Sequence, residues 1–287
     1  MTTPQGPTGT PSHDAVQTIT QHMSHQEKTA AIHASRFGYG PLAHLKSSEV
    51  EDLLPAFGGE FQPGLYKGVA SRKFANPAPL GLYAFALTTF VLSLINCGAR
   101  GVDVPNIVVA LAVGYGGLVQ LLAGMWEMAI GNTFGATALS SYGGFWIAFA
   151  IVLTPGGFQI VSSIEEAGGA QTFANSFAFF LFGWFIFTTI LLVCTLKSTL
   201  AFFLLFLTLD LAFLMLACSY LTTGSTNVHL TRAGGAFGLA AAFLAWYNAL
   251  AGLADTSNSF VIIPVAHFPW SEKGRQQRGL RTAEHTA

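Results

Sequence analysis

Apolar residues in this chain gather into six long runs, at about 77–97, 104–128, 133–153, 174–195, 199–221 and 233–254. From Phe74 to Ser271 the only charged side chains are Arg100, Asp103, Glu127, Glu165, Glu166, Lys197, Asp210, Arg232 and Asp255. A helix of about 20 apolar residues crosses the roughly 30 Å hydrocarbon layer of a bilayer. The sequence lacks the alternating segments of about ten residues that build a β-barrel. The pattern predicts an all-α polytopic membrane protein with six transmembrane helices. It divides the chain into an N-terminal tail at 1–73, a membrane domain at 74–256 and a C-terminal tail at 257–287.

The tails carry the orientation signal. The chain opens on a Pro-, Gly-, Thr- and Ser-containing stretch without a short apolar core behind a basic end, so no secretory signal peptide is read there. Residues 1–30 are expected to be disordered, with short ordered pieces within 31–73. The histidines His13, His22, His25, His33 and His44 are either a solvated set or a pH sensor. Six spans put both tails on one side. That side holds Lys67, Arg72, Lys73, Lys197, Lys273, Arg275, Arg278 and Arg281; the other holds Arg100, Arg232, Glu165 and Glu166. The excess of Lys and Arg predicts that both termini are cytoplasmic.

Composition narrows the function classes. The chain is 52% hydrophobic and 9% charged, against about a quarter charged in soluble domains, so lipid is its natural solvent. A net charge of −1 offers no basic field for nucleic acid. Cys97, Cys194 and Cys218 lie far apart in apolar runs, without metal or redox spacing, and read as small buried hydrophobes. No Walker-type glycine loop, G-x-S-x-G, C-x-x-C or H-E-x-x-H is present, which argues against an enzyme, a metal site or a bound cofactor. Gly114-Tyr115-Gly116-Gly117 lies inside a span and reads as packing.

Several positions carry candidate chemistry. In Asn76-Pro77-Ala78-Pro79-Leu80-Gly81-Leu82, Asn76 suits an N-cap and Pro77 the first helical position. This is either a plain helix start or a half-exposed N-terminus whose N–H groups favour an anion. On the first span Phe85, Thr88, Thr89, Leu92 and Asn96 share a face. On the third, Thr133, Thr137, Ser140, Ser141 and Gly144 do, with Tyr142 at the edge. Gly234, Gly238, Ala242, Ala245, Ala249 and Gly252 form a small-residue face on the sixth. Each stripe is either a helix-packing surface or a pore wall narrowed by Phe85 and Tyr142. Asp210 falls mid-span and must face protein or water, or be protonated. Glu127 lies near the cytoplasmic end of its span; each acid is either a hydrogen-bonded structural group or a proton site. Gly131-Asn132 predicts a tight hairpin between the second and third spans.

The string at 76–82, followed by Phe85 and Thr88-Thr89, resembles the signature of the acetate uptake transporter family, the succinate–acetate permeases. Gly131-Asn132-Thr133-Phe134-Gly135 and Ser141-Tyr142-Gly143-Gly144-Phe145-Trp146 are similar to two further stretches of that family. The resemblance covers roughly 76–255. Phe57-Gly58-Gly59-Glu60, Gln62-Pro63-Gly64 and Phe268-Pro269-Trp270 make the chain similar to fungal members. The resemblance implies six spans, a homo-hexamer, a plasma-membrane location and one path per protomer for acetate and related short carboxylates. It also implies a constriction of Phe85, Tyr142 and Leu209, with Leu207 as the alternative, and a size-tuning position at Ala245. Thr88, Thr89, Thr133 and Thr137 would then replace the carboxylate's water shell, and passage with a proton would lower its desolvation cost. Fungal relatives are also linked to ammonium export. An ammonia channel and a membrane sensor working through the long tail are therefore the competing expectations.

Overall fold

The computed structural model describes residues 21–35, 75–223, 226–255, 258–271 and 274–275. The chain forms two compact units, 1–58 and 59–287. Helix α1 (His25–Ser35) belongs to the first. The Ser24 amide and hydroxyl donate to Glu27 Oε2, each at 2.8 Å, and the Glu27 amide donates back to Ser24 Oγ at 3.3 Å. This capping box starts the helix at a point where the composition predicts disorder through residue 30. The Ser24 hydroxyl first, then its amide, holds the Glu27 carboxyl below its usual range. The motif pieces at 57–60 and 62–64, His13, His44, Lys67, Arg72, Lys73, Lys273, Arg278 and Arg281 lie outside the described residues.

In the second unit the six apolar runs fold as predicted into helices long and apolar enough to cross a membrane. They are α2 (Ala78–Asn96), α3 (Asn106–Ala129), α4 (Thr133–Leu153), α6 (Ala170–Cys194), α7 (Leu200–Tyr220) and α8 (Val228–Leu253). A short helix α5 (Ile160–Gly168) precedes α6. Side chains cap the free amides at three helix starts. Asn132 Oδ1 accepts from the Gly135 amide, Thr199 Oγ1 from Phe202, and Asn227 Oδ1 from His229 and Leu230. The Asn227 cap lets α8 begin at Val228, five residues before its apolar run, because a capped polar turn is stable outside hydrocarbon. Asn76 Oδ1 accepts from the Ala78 amide at 3.2 Å, so Pro77 is the cap and Ala78 the first helical residue. That is one position later than the sequence predicts.

The bundle packs through close backbone approaches. Gly235 and Gly238 of α8 lie against α2, where a Cβ on Gly235 would come within 2.8 Å of Cys97 Sγ. One on Gly238 would overlap Ser93 Oγ, so this part of the small-residue face is a packing surface. Helix α3 contains a π-helical turn at Gly114–Val119. A π turn adds a residue per turn and rotates everything after it. Gln120, Ala123, Gly124 and Glu127 then share the buried side of α3.

Beyond α8 the chain doubles back to the α6–α7 turn. The Leu200 amide donates to Ala266 O at 2.9 Å, Thr199 and His267 form an antiparallel bridge, and Trp270 Nε1 donates to Leu196 O at 2.7 Å. Phe268 stacks on Trp270 and meets the edge of Phe203, with centroids 4.7 and 5.5 Å apart. The end of the bundle holding Asn76 and Leu253 is the tail end; the opposite end is the loop end.

Candidate functional site

A cavity of about 110 Å³ lies inside the helical bundle, bordered by α2, α4, α6, α7 and α8. At 10–15 Å³ or so per water it has room for several. Its wall runs along α2 from Phe85 to Asn96, along α4 from Tyr142 to Leu153, and along α7 from Leu209 to Tyr220. On each of these helices the lining begins mid-span and ends at the loop end. Phe85, Tyr142 and Leu209 are thus the innermost members of their rows and form the floor. The Phe85 and Tyr142 rings sit 6.0 Å apart, inclined by 49°, and all three side chains are buried. Leu207 does not border the cavity; Leu209 does.

The wall is mostly aromatic and aliphatic, with Thr89, Ser93 and Asn96 as a polar strip on α2. Among the described residues, two buried polar atoms of lining side chains, Thr89 Oγ1 and Trp146 Nε1, have no hydrogen-bond partner. Each lies one turn, about 6 Å, to the loop-end side of a floor residue.

The other predicted path residues go elsewhere. Thr88 is fully buried, donates to Ala84 O at 2.9 Å, and packs where a Cβ on Gly116 would come within 2.6 Å of its Oγ1. It faces α3 rather than the cavity. Thr133 and Thr137 are exposed on the outer side of α4, whose cavity face is instead Tyr142, Phe145, Trp146, Phe149 and Leu153. Ala245 is buried in the bundle, two turns or about 10 Å towards the tail end from the lining residue Gly238.

The profile of the GPR1/FUN34/yaaH family matches residues 57–270. The chain belongs to the GPR1/FUN34/yaaH family. It is similar to acetate permease A of Emericella nidulans, with 70% identity over 254 residues, 87% of this chain and 85% of the relative. Ammonia transport outward protein 2 of Saccharomyces cerevisiae is 48% identical over 223 residues, 78% of this chain and 77% of that protein. The solved structure of the bacterial acetate channel SatP superposes with a TM-score of 0.56 at 30% identity, over 68% of this chain and all (100%) of that one.

Within this GPR1/FUN34/yaaH chain the two acids lie outside the cavity wall. Glu127 is fully buried and accepts from Asn132 Nδ2 at 2.6 Å, while Asn132 caps α4, so the pair closes the α3–α4 hairpin. Asp210 is turned to α6, with Oδ1 2.9 Å from Thr189 Oγ1. In the signature string, Asn76 Nδ2 also donates to Gly252 O at 3.3 Å, tying the start of α2 to the end of α8. Pro77, Ala78, Pro79, Gly81 and Leu82 are buried, whereas Leu80 is exposed.

The sequence reading missed Gln120, whose side chain is fully buried with neither amide atom partnered among the described residues. It falls between Gly116, which meets Thr88, and Ala123, which meets Gly81, so it lies opposite Ala84 and Phe85 on α2. The close approach of Gly143 to Leu121 puts it level with Tyr142 on α4. Its polarity inside an apolar run was the available signal; the π turn that faces it inward was not readable.

Proposed function

We propose that this chain carries acetate and related short-chain carboxylates across a membrane through a path inside each protomer. The observation that carries the reading is the cavity that enters the bundle from the loop end and stops on Phe85, Tyr142 and Leu209. High identity to an acetate permease and superposition on an acetate channel support the choice of solute. A small carboxylate has one charged end to solvate and one methyl group to hide. Thr89, Ser93 and Asn96, with the unpartnered indole N–H of Trp146, offer hydrogen bonds in place of water, and the floor receives the methyl end. An acid of pKa about 4–5 is partly neutral in mildly acidic medium. Passage as acetic acid, or as acetate with a proton, avoids much of the cost of moving a bare charge through an apolar ring. In this reading Ala245 tunes the width beyond the floor, and Glu127 and Asp210 act as structural acids.

Lys197 and Arg275, with the basic residues of the tails, favour cytoplasmic termini in the plasma membrane. The exposed face of Thr133, Thr137 and Gly144 on α4 suits a helix of another protomer better than lipid, in keeping with a homo-hexamer. The protein acts as a transporter rather than an enzyme.

The test is uptake of labelled acetate into proteoliposomes of the full chain, with and without an inward proton gradient. Uptake along the acetate gradient alone indicates a channel; uphill uptake driven by protons indicates symport. Methylammonium is the rival solute, favoured by the name of the yeast relative. Methylammonium flux that acetate leaves unaltered, with no acetate uptake above protein-free vesicles, would overturn the reading.

A further inference from the structure

Two consecutive threonines on α6 bond to one floor residue, Tyr142, and to Asp210, the neighbour of another. Tyr142 Oη lies 2.9 Å from Thr188 Oγ1, and both groups are buried. The Thr188 hydroxyl donates its single proton to Trp184 O at 2.7 Å. The Tyr142 hydroxyl is therefore the donor in the pair, and its O–H is turned away from the cavity. The same helix clamps the ring, with the Trp184 and Phe187 centroids 6.0 and 5.6 Å away. The neighbouring Thr189 sits 2.9 Å from Asp210 Oδ1 and also 2.9 Å from Phe185 O. Asp210 follows Leu209, and successive residues differ by about 100° around a helix. Tying Asp210 to α6 thus fixes the rotation of α7 that presents Leu209 to the cavity.

We propose that Thr188 is a positioning residue that sets the aperture of the floor, and with it which carboxylates pass. This rests on the transport reading above. Neither threonine lines the cavity, so neither needs to touch the solute. A buried phenol that loses its acceptor must find another, and the nearest alternative is the cavity. The Tyr142 ring then leaves its place and the floor becomes both wider and more polar.

The experiment measures acetate and lactate uptake by the full-length protein in proteoliposomes, as wild type and as T188V, T188S, Y142F and the T188V/Y142F double variant. T188V keeps the shape and removes the acceptor. It should shift the acetate-to-lactate ratio towards lactate by about fivefold, the population change carried by one neutral hydrogen bond. T188S should restore the wild-type ratio. T188V should add nothing in the Y142F background, because the donor is already gone. A wild-type ratio in T188V, or an equal T188V shift in both backgrounds, would overturn the proposal. If T188V fails to fold, T188A carries the test, since it removes the same acceptor and leaves the Tyr142 hydroxyl in place. An unchanged ratio there sinks the proposal. A wild type that carries no acetate sinks the transport reading itself.

Discussion

The hydroxyl stripes of α2 and α4 are alike in sequence and opposite in place. Thr88, Thr89 and Asn96 on one helix, and Thr133, Thr137 and Ser141 on the other, recur at helical spacing within apolar runs. On α2 most of the stripe faces the cavity, through Phe85, Thr89, Leu92 and Asn96. On α4 it faces outward, and the cavity side is aromatic. A hydroxyl in a span indicates a face that avoids lipid; it does not say whether water, solute or another helix covers it. Bulk resolves the ambiguity. Phe145, Trp146 and Phe149 fill the wide interior, whereas the slim Thr/Ser/Gly face permits close approach from outside.

The comparison breaks most sharply at the floor. Phe85→Ala should admit lactate and succinate relative to acetate by about tenfold, equivalent to ~1.4 kcal/mol, in the proteoliposome assay; an unchanged ratio would remove Phe85 from the path. Adjacent threonines on α2 come next. Thr89→Val takes a hydroxyl from the cavity wall and should lower acetate uptake about fivefold, as for one hydrogen bond of ~1 kcal/mol. Thr88→Val should change uptake far less. Equal losses from the two would mean that the α2 stripe does not divide as its packing says.

Outward-facing hydroxyls on α4 should act on assembly instead. Thr133→Leu with Thr137→Leu is expected to leave the acetate-to-lactate ratio within about twofold of wild type, as for a residue remote from the site. It should also shift the detergent-solubilised protein to smaller assemblies by native mass spectrometry. Intact oligomers with altered selectivity would reverse the two roles. Least in size is the difference between neighbours on α7. Leu209→Val should move the ratio about twofold, by removing roughly one methylene of contact, and Leu207→Val should not; the opposite order would place the floor one register away.

All six spans were legible, because a run of 20 apolar residues has few alternatives. Cap-driven extensions were less so: α8 starts early on the strength of Asn227 alone. Helix α5 is amphipathic, with Ile160, Val161 and Ile164 on one face, but at nine residues it is too short to stand out beside the spans. Periodicity grouped Phe85 and Thr89, which border the cavity, with Thr88, which does not, and missed Ser93. Tyr142–Thr188 joins residues 46 apart in sequence, and nothing local to either announces the other. Gln120 stood out by its polarity, but its direction was hidden for a different reason. Its inward direction depends on the π turn before it, and a straight helix would have aimed it elsewhere.

The segment after α8 has a bearing on how the chain is made. Synthesis runs from the N-terminus, so α7 leaves the ribosome well before residue 266 exists. Until then the Leu200 amide, one of the first-turn donors that no α-helix satisfies internally, has only water or headgroups as acceptors. Ala266 supplies the acceptor and Trp270 closes over Leu196. The α6–α7 turn is therefore finished by a segment that emerges only after α8, and a nascent chain stalled before 266 would carry six inserted helices and an unsealed corner.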